Sequence, residues 1–222
     1  HKLTGVGFDK IHVVRACISD RFKTIRTEPL RNAARILTVA RLVEKKGIKY
    51  GIHAIKELQK EFPDIEYRVV GSGPLENELK VLVKSLSLDN NVKFLGNLDS
   101  HSLIKELCEA TIFILPCIRT KNGDMDGVPV SLMESMYLRI PSISTNISGI
   151  PELIENGKTG FLIEEKNVKQ LTEAIRTLLL NQDLRLEMGD EGRKKIRKEF
   201  NIQNEVGKLL KIWNNIRSLK ER

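Results

Sequence analysis

The chain has 222 residues, and its 37 Lys+Arg against 29 Asp+Glu give a formal net charge of +8. At roughly 100 to 200 residues per domain this is one large domain, or one domain with trimmings. With 41% hydrophobic and 30% charged residues, and no apolar run near the roughly 18 residues a spanning helix needs, intrinsic disorder and a membrane span are excluded.

The three cysteines, Cys17, Cys108 and Cys117, are odd in number and lack CxxC spacing, which implies neither a disulfide framework nor a zinc knuckle. A reducing, cytoplasmic setting is expected. The chain starts at His1 without an initiator Met or a signal peptide, and reads as a piece of something longer.

In chain order, Ile11 to Arg15 is strand-like and is followed by a polar segment, Ser19 to Asn32, which looks like a linker from something upstream. A regular alternation then begins. Short β-branched apolar runs occur at Ile36 to Ala40, Ile65 to Val70, Val92 to Leu95, Thr111 to Leu115, Pro141 to Ser144 and Gly160 to Ile163, each the length of a buried strand. Between them the apolar period becomes helical: Ile48, Ile52, Ile55 and Phe62; Leu75, Leu79, Leu82 and Leu86; Leu103 and Leu107; Val130, Met133 and Leu138. The pattern predicts right-handed βαβ crossovers and a Rossmann-like, doubly wound parallel α/β sheet of about six strands. After Ile163 it is helical only, with Val168, Leu171, Ile175 and Leu178 on one face, then helices near Leu184 to Lys198 and Ile202 to Leu219. Three segments result: a linker over 1–32, an α/β domain over 33–200 and a closing helix over 201–222.

Half of the positive charge lies late, since residues 182–222 carry 11 basic and 7 acidic groups. The densest patch is Arg193 to Lys198, where Arg193 with Arg197 and Lys194 with Lys198 share helix faces. It suits a solvated face or the anionic surface of a membrane. Only 5% of the residues are aromatic and none is interleaved with the basic run, so nucleic acid is not an expected partner.

Ligands of open α/β sheets bind at the carboxyl ends of the strands. After the first run, Arg41 and Lys46 place two cations near a helix start, an arrangement suited either to a diphosphate or to surface charges capping a loop. After the second, Gly71-Ser72-Gly73-Pro74 fits either close approach of backbone to a ligand or a tight packed turn. A dinucleotide fingerprint would need glycine where Glu76 stands, which disfavours NAD. After the fourth run comes a polar loop, Pro116 to Gly127, and then a helix predicted to begin at Pro129. The N–H groups of Val130 and Ser131 would point at whatever fills the loop. Asp126 and Glu134 bracket this turn. His1, His12, His53 and His101 show no ligand spacing, and Tyr50, Tyr67, Tyr137 and Trp213 read as packing residues.

Together, Arg41-Leu42 with Lys46-Gly47, Val70 to Pro74, Asp126 with Glu134 eight residues on, and Ser148-Gly149-Ile150-Pro151-Glu152 through Gly160-Phe161-Leu162 resemble the C-terminal half of a family 4 retaining glycosyltransferase of the GT-B fold. The likeness runs from about Lys10 to about Trp213. The loop Asn122 to Pro129 is most similar to bacterial exopolysaccharide transferases of the colanic-acid type.

The resemblance implies that this half binds a nucleoside-diphosphate sugar, UDP-sugar first and GDP-sugar next, for transfer of a hexose to a glycan or lipid-linked acceptor. It implies catalytic roles for Arg41 and Lys46 on the diphosphate and for Asp126 at the sugar. Gly71, Gly73, Asn97, Leu98, Val130, Ser131 and Glu134 would form the rest of the donor site, with Glu134 on the ribose and Gly96-Asn97-Leu98 by the base.

Asp126 replaces the usual Glu, the hinge motif reads Cys17-Ile18-Ser19, and the N-terminal half that supplies the acceptor site is absent. The fragment alone is therefore expected to be inactive, and the protein to be cytoplasmic or peripheral at the inner membrane face. The alternative is a non-catalytic subunit that binds nucleotide-sugar beside a separate acceptor-binding chain. Asp124-Met125-Asp126 also reads as the DxD of the other glycosyltransferase fold, where it chelates a metal. Because Arg41 and Lys46 already supply positive charge, no metal or other cofactor is expected.

Overall fold

The computed structural model describes residues 11–18, Phe22, Ile25 and 34–220. Six parallel strands, β1 (Arg35–Val39), β2 (Glu66–Val70), β3 (Val92–Gly96), β4 (Ile112–Leu115), β5 (Ser142–Thr145) and β6 (Gly160–Ile163), pair in the order β3-β2-β1-β4-β5-β6. Every predicted strand of the alternating region is present within about two residues of its expected bounds. The helices are α1 (Ile48–Leu58), α2 (Glu76–Ser85), α3 (Ser100–Glu109), α4 (Val130–Tyr137), the short α5 (Ile150–Leu153), α6 (Val168–Leu180), α7 (Gln182–Glu199) and α8 (Ile202–Lys220).

Side chains alternate across the sheet, so each strand feeds two cores. On one face Ile36, Tyr67, Val69, Ile112, Ile114, Ile143 and Ile163 pack with Ile52, Ile55 and Leu58 of α1 and Leu171, Ile175 and Leu178 of α6. On the other, Leu37, Val70, Phe113 and Leu115 meet Leu107 of α3, Leu132, Met133 and Met136 of α4 and Ile196 of α7. Each fully buried Leu, Ile or Phe stabilises the fold by about 1.5–3 kcal/mol. Side-chain caps set the starts of three helices: Asp99 accepts from Ser102 N at 2.9 Å, Asn167 from Gln170 N at 3.0 Å and Asn181 from Leu184 N at 3.0 Å.

Two sequence expectations are corrected. Ile11 to Arg15 is not a strand: Val13 is 71% exposed, and the Arg15 N–H donates to the Glu205 carboxylate at 2.8 Å rather than to a neighbouring strand. The polar segment after it, and most of the linker expected over 1–32, lies outside the described residues. Trp213, read as a packing residue, is largely unpacked among the described residues, being 67% exposed on α8 in a stripe with Val206, Leu209 and Ile216. Among the described residues no helix is long and apolar enough to cross a membrane.

The topology fixes where a ligand can sit. β1 is flanked by β2 on one side and by β4 on the other, so the winding reverses between β1 and β4 and the loops after these two strands diverge. In open α/β sheets such a reversal is where ligands bind, at the carboxyl end of the strands.

Candidate functional site

The loop after β1 contains a one-turn 3₁₀ helix, Glu44–Lys46, closed by Gly47 at φ 63°. Lys46 therefore ends this turn instead of opening a long helix, and α1 follows it. Gly47 is required twice over. Its φ lies in the left-handed region, and a Cβ there would stand 1.9 Å from the Pro116 carbonyl oxygen. That contact presses the β1 loop against the β4 loop, and Ile118 N donating to Lys45 O at 2.9 Å ties them further.

Across this junction two of the three predicted catalytic residues, Lys46 and Asp126, meet. Lys46 Nζ lies 2.7 Å from Asp126 Oδ2, and Lys45 Nζ lies 3.0 Å from Asp124 Oδ1 and 4.0 Å from Asp126 Oδ1. The Cys117 thiol donates to Asp126 Oδ2 at 3.2 Å. Burial, and after it the Asp126 carboxylate, pushes that thiol well above its ordinary range, so it remains a donor rather than a nucleophilic thiolate. Arg41 is exposed at the end of β1, and no carboxylate of the described residues lies within ion-pair distance of it. Both carboxylates of the DxD sequence face ammonium groups.

The remaining predicted residues line the same end of the sheet. α4 begins at Val130; Pro129 is the residue before it, with ψ 122°, and not its first helical residue as the sequence suggested. No side chain caps α4, so the Val130 and Ser131 N–H groups keep the orphan positions of a helix start. Glu134 lies one turn inside α4 and is 6% exposed.

Gly71 and Gly73 have a packing role. A Cβ on Gly71 would meet Ala40 O at 2.0 Å, and one on Gly73 would meet Leu42 O at 2.6 Å. Leu42 N donating to Ser72 O at 2.9 Å and Gly71 N donating to Gly96 O at 2.7 Å complete a backbone floor under three strand ends. Asn97 is exposed and Leu98 half-buried where β3 leaves that floor.

The sequence reading missed Lys45, Asp124 and Cys117 as parts of the cluster. The adjacent lysines and the DxD spacing were visible signals for the first two, while the cysteine gave none.

Part of the basic run on α7 is paired within the protein, although the Lys194 side chain is still 72% exposed. Lys194 pairs with Glu191 at 2.6 Å, Lys195 with Glu155 at 2.8 Å, and the Arg193 guanidinium lies 5.2 Å from the centre of the Tyr137 ring. Arg197 and Lys198 remain exposed.

Comparison with known proteins agrees with this frame. The family model described as Glycosyl transferases group 1 matches residues 21–195. The chain is 37% identical over 179 residues to the putative colanic acid biosynthesis glycosyltransferase WcaL of Escherichia coli (strain K12), covering 79% of this chain and 44% of that protein. It is 36% identical over 219 residues to the amylovoran biosynthesis glycosyltransferase AmsK of Erwinia amylovora, covering 97% of this chain and 54% of that one. The chain thus spans about half the length of the curated relatives it matches.

Two solved structures share the fold. A TarM variant from S. aureus, in complex with ligands that include UDP, aligns with a TM-score of 0.81 at 20% identity, over 96% of this chain and 41% of that one. The C-terminal domain of a glycosyl transferase group 1 family protein, LpcC from Francisella tularensis, aligns at 0.70 and 20% identity, over 82% of this chain and 98% of that one. With six parallel strands, a charged cluster at the switch point and this family match, the chain belongs to the glycosyl transferases group 1 family.

Proposed function

We propose that this chain is the donor-binding half of a retaining glycosyltransferase that moves a hexose from a nucleoside-diphosphate sugar to a glycan or lipid-linked saccharide. UDP is the favoured nucleotide and GDP the next. The observation that carries this reading is the Lys46–Asp126 pair at the switch point, with the exposed Arg41 beside it on the β1 loop.

In such a transfer the bond from sugar C1 to the β-phosphate oxygen breaks, and its electron pair stays on the phosphate. The acceptor hydroxyl bonds to C1, and its proton passes to the departing diphosphate. Charge therefore grows on the diphosphate, where Arg41, Lys46 and the start of α4 would lie and would stabilise it without a metal. Asp126 would accept hydrogen bonds from sugar hydroxyls and Glu134 from the ribose diol. Gly71 and Gly73 would contribute by shaping the floor, with Asn97 and Leu98 beside the base.

Positioning an acceptor in a water-poor cleft is worth roughly 7–11 kcal/mol, and the chain is expected to show no transfer by itself. Titration calorimetry with UDP, GDP and ADP, each with and without EDTA, tests the donor assignment. Binding of UDP or GDP that survives EDTA supports it, and strictly metal-dependent binding would favour the DxD reading.

A further inference from the structure

The four charges at the switch point are not equivalent. Lys46 and the Cys117 thiol both approach Asp126 Oδ2, at 2.7 and 3.2 Å, whereas Lys45 stands 4.0 Å from the free side of that carboxylate, Oδ1. At the same time Lys45 holds Asp124 Oδ1 at 3.0 Å. The Asp126 side chain is 13% exposed and that of Asp124 56%.

A diphosphate that drew Lys46 to itself would strand Asp126, and a poorly solvated carboxylate without a cation is strongly unfavourable. Asp124 can lose its lysine to water at little cost. We propose that Lys45 is a positioning residue: as Lys46 turns to the diphosphate, Lys45 passes from Asp124 to Asp126 and keeps that carboxylate paired and in place. This rests on the donor-site reading above and adds a division of labour between neighbouring lysines.

The backbone is built to let the side chain move alone. Lys45 O is held by Ile118 N at 2.9 Å, which anchors the residue whichever aspartate its ammonium faces. The loop that carries Asp124 holds itself closed without Lys45. Thr120 N and Thr120 Oγ1 both donate to Asp124 O, at 3.0 and 2.9 Å, and Gly123 N donates to Thr120 O at 3.0 Å. Losing the Lys45–Asp124 pair therefore need not open the loop. An approach to Oδ1 also displaces neither Lys46 nor Cys117 from Oδ2.

The test is calorimetric titration of this chain with UDP and with GDP in four variants. Lys45→Met should weaken binding about tenfold, and Lys45→Arg should recover most of the loss. Asp126→Asn should tighten binding of the bare diphosphate by releasing Lys46. In the Asp126→Asn background Lys45→Met should cost nothing further, because no carboxylate remains to be stranded. A Lys45 that merely attracts the diphosphate would cost the same in both backgrounds, which would overturn the proposal. Wild-type affinity in Lys45→Met would overturn it too. Circular dichroism checks folding, and Lys45→Gln repeats the comparison should the methionine variant misfold. If the wild type binds neither nucleotide, the donor-site reading itself fails and this inference with it, whereas normal wild-type binding with an indifferent Lys45 removes the inference alone.

Discussion

The two ends of the sheet carry ion clusters of the same chemistry and opposite character. At the amino end, Glu66 at the start of β2 receives Arg35 of β1 at 3.1 Å, Arg68 of its own strand at 3.1 Å and Lys93 of β3 at 2.8 Å. Arg68 also reaches Glu106 of α3 at 2.8 Å, so the cluster closes on itself across three strands and a helix. At the carboxyl end, the Lys45, Lys46, Asp124 and Asp126 pairs join two loops, with the exposed Arg41 nearby. The first cluster uses forked arginines on rigid strands and leaves little for a ligand. The second uses flexible lysines on loops and can trade partners. Pairing charge with charge thus stiffens one end and keeps the other exchangeable.

The sharpest way to break the comparison is to remove the contact that shapes the carboxyl end. Gly47→Ala forces a Cβ to 1.9 Å from the Pro116 carbonyl oxygen at a φ of +63°. The left-handed backbone and the overlap together should cost about 3 kcal/mol, read as a lower urea midpoint with nucleotide binding lost as well.

Next in size, Glu66→Gln should cost roughly 2 kcal/mol of stability while leaving nucleotide affinity unchanged. Burial alone would raise the Glu66 carboxyl, but hydrogen bonds from Lys93 and Arg68 outweigh it and lower it to about 2. The folded chain thus holds this carboxylate ionised at pH values where the unfolded chain would protonate it. The cluster's contribution is complete above the ordinary carboxyl value of 4.5 and is lost as pH falls towards 2. Urea midpoints measured across that window should converge for wild type and Glu66→Gln at the acid end.

The smaller effects belong to the carboxyl end. Glu134→Ala should weaken UDP binding by about tenfold, and Asp126→Ala should mainly reduce the preference for UDP-sugar over bare UDP. Equal UDP affinities of Glu134→Ala and wild type would take Glu134 out of the site.

Much of the fold was legible because central strands are buried on both faces and read as unbroken apolar runs, such as Ile112 to Leu115. Ile11 to Arg15 has similar residues, yet propensity without a partner strand makes no strand. Pro129 was misplaced by one residue because proline fixes φ near −65° at either position; ψ separates the two, and ψ depends on the loop. For Gly71 and Gly73 two explanations stood open, and the contacts with Ala40 O and Leu42 O supply the packing one. Arg41, Lys46 and Asp126 could be named from their motifs. That Lys46 rests on Asp126, with Cys117 beneath it, depends on how the β1 and β4 loops fold together, which no local spacing encodes.

The most direct measurement sets the two clusters side by side. UDP affinity and the urea midpoint are determined for wild type, Lys46→Ala and Glu66→Gln under one set of conditions. Lys46→Ala should lose about one to two decades of UDP affinity with its midpoint nearly unchanged, and Glu66→Gln should lose stability but bind UDP as wild type does. Wild-type UDP affinity in Lys46→Ala would contradict the donor-site reading.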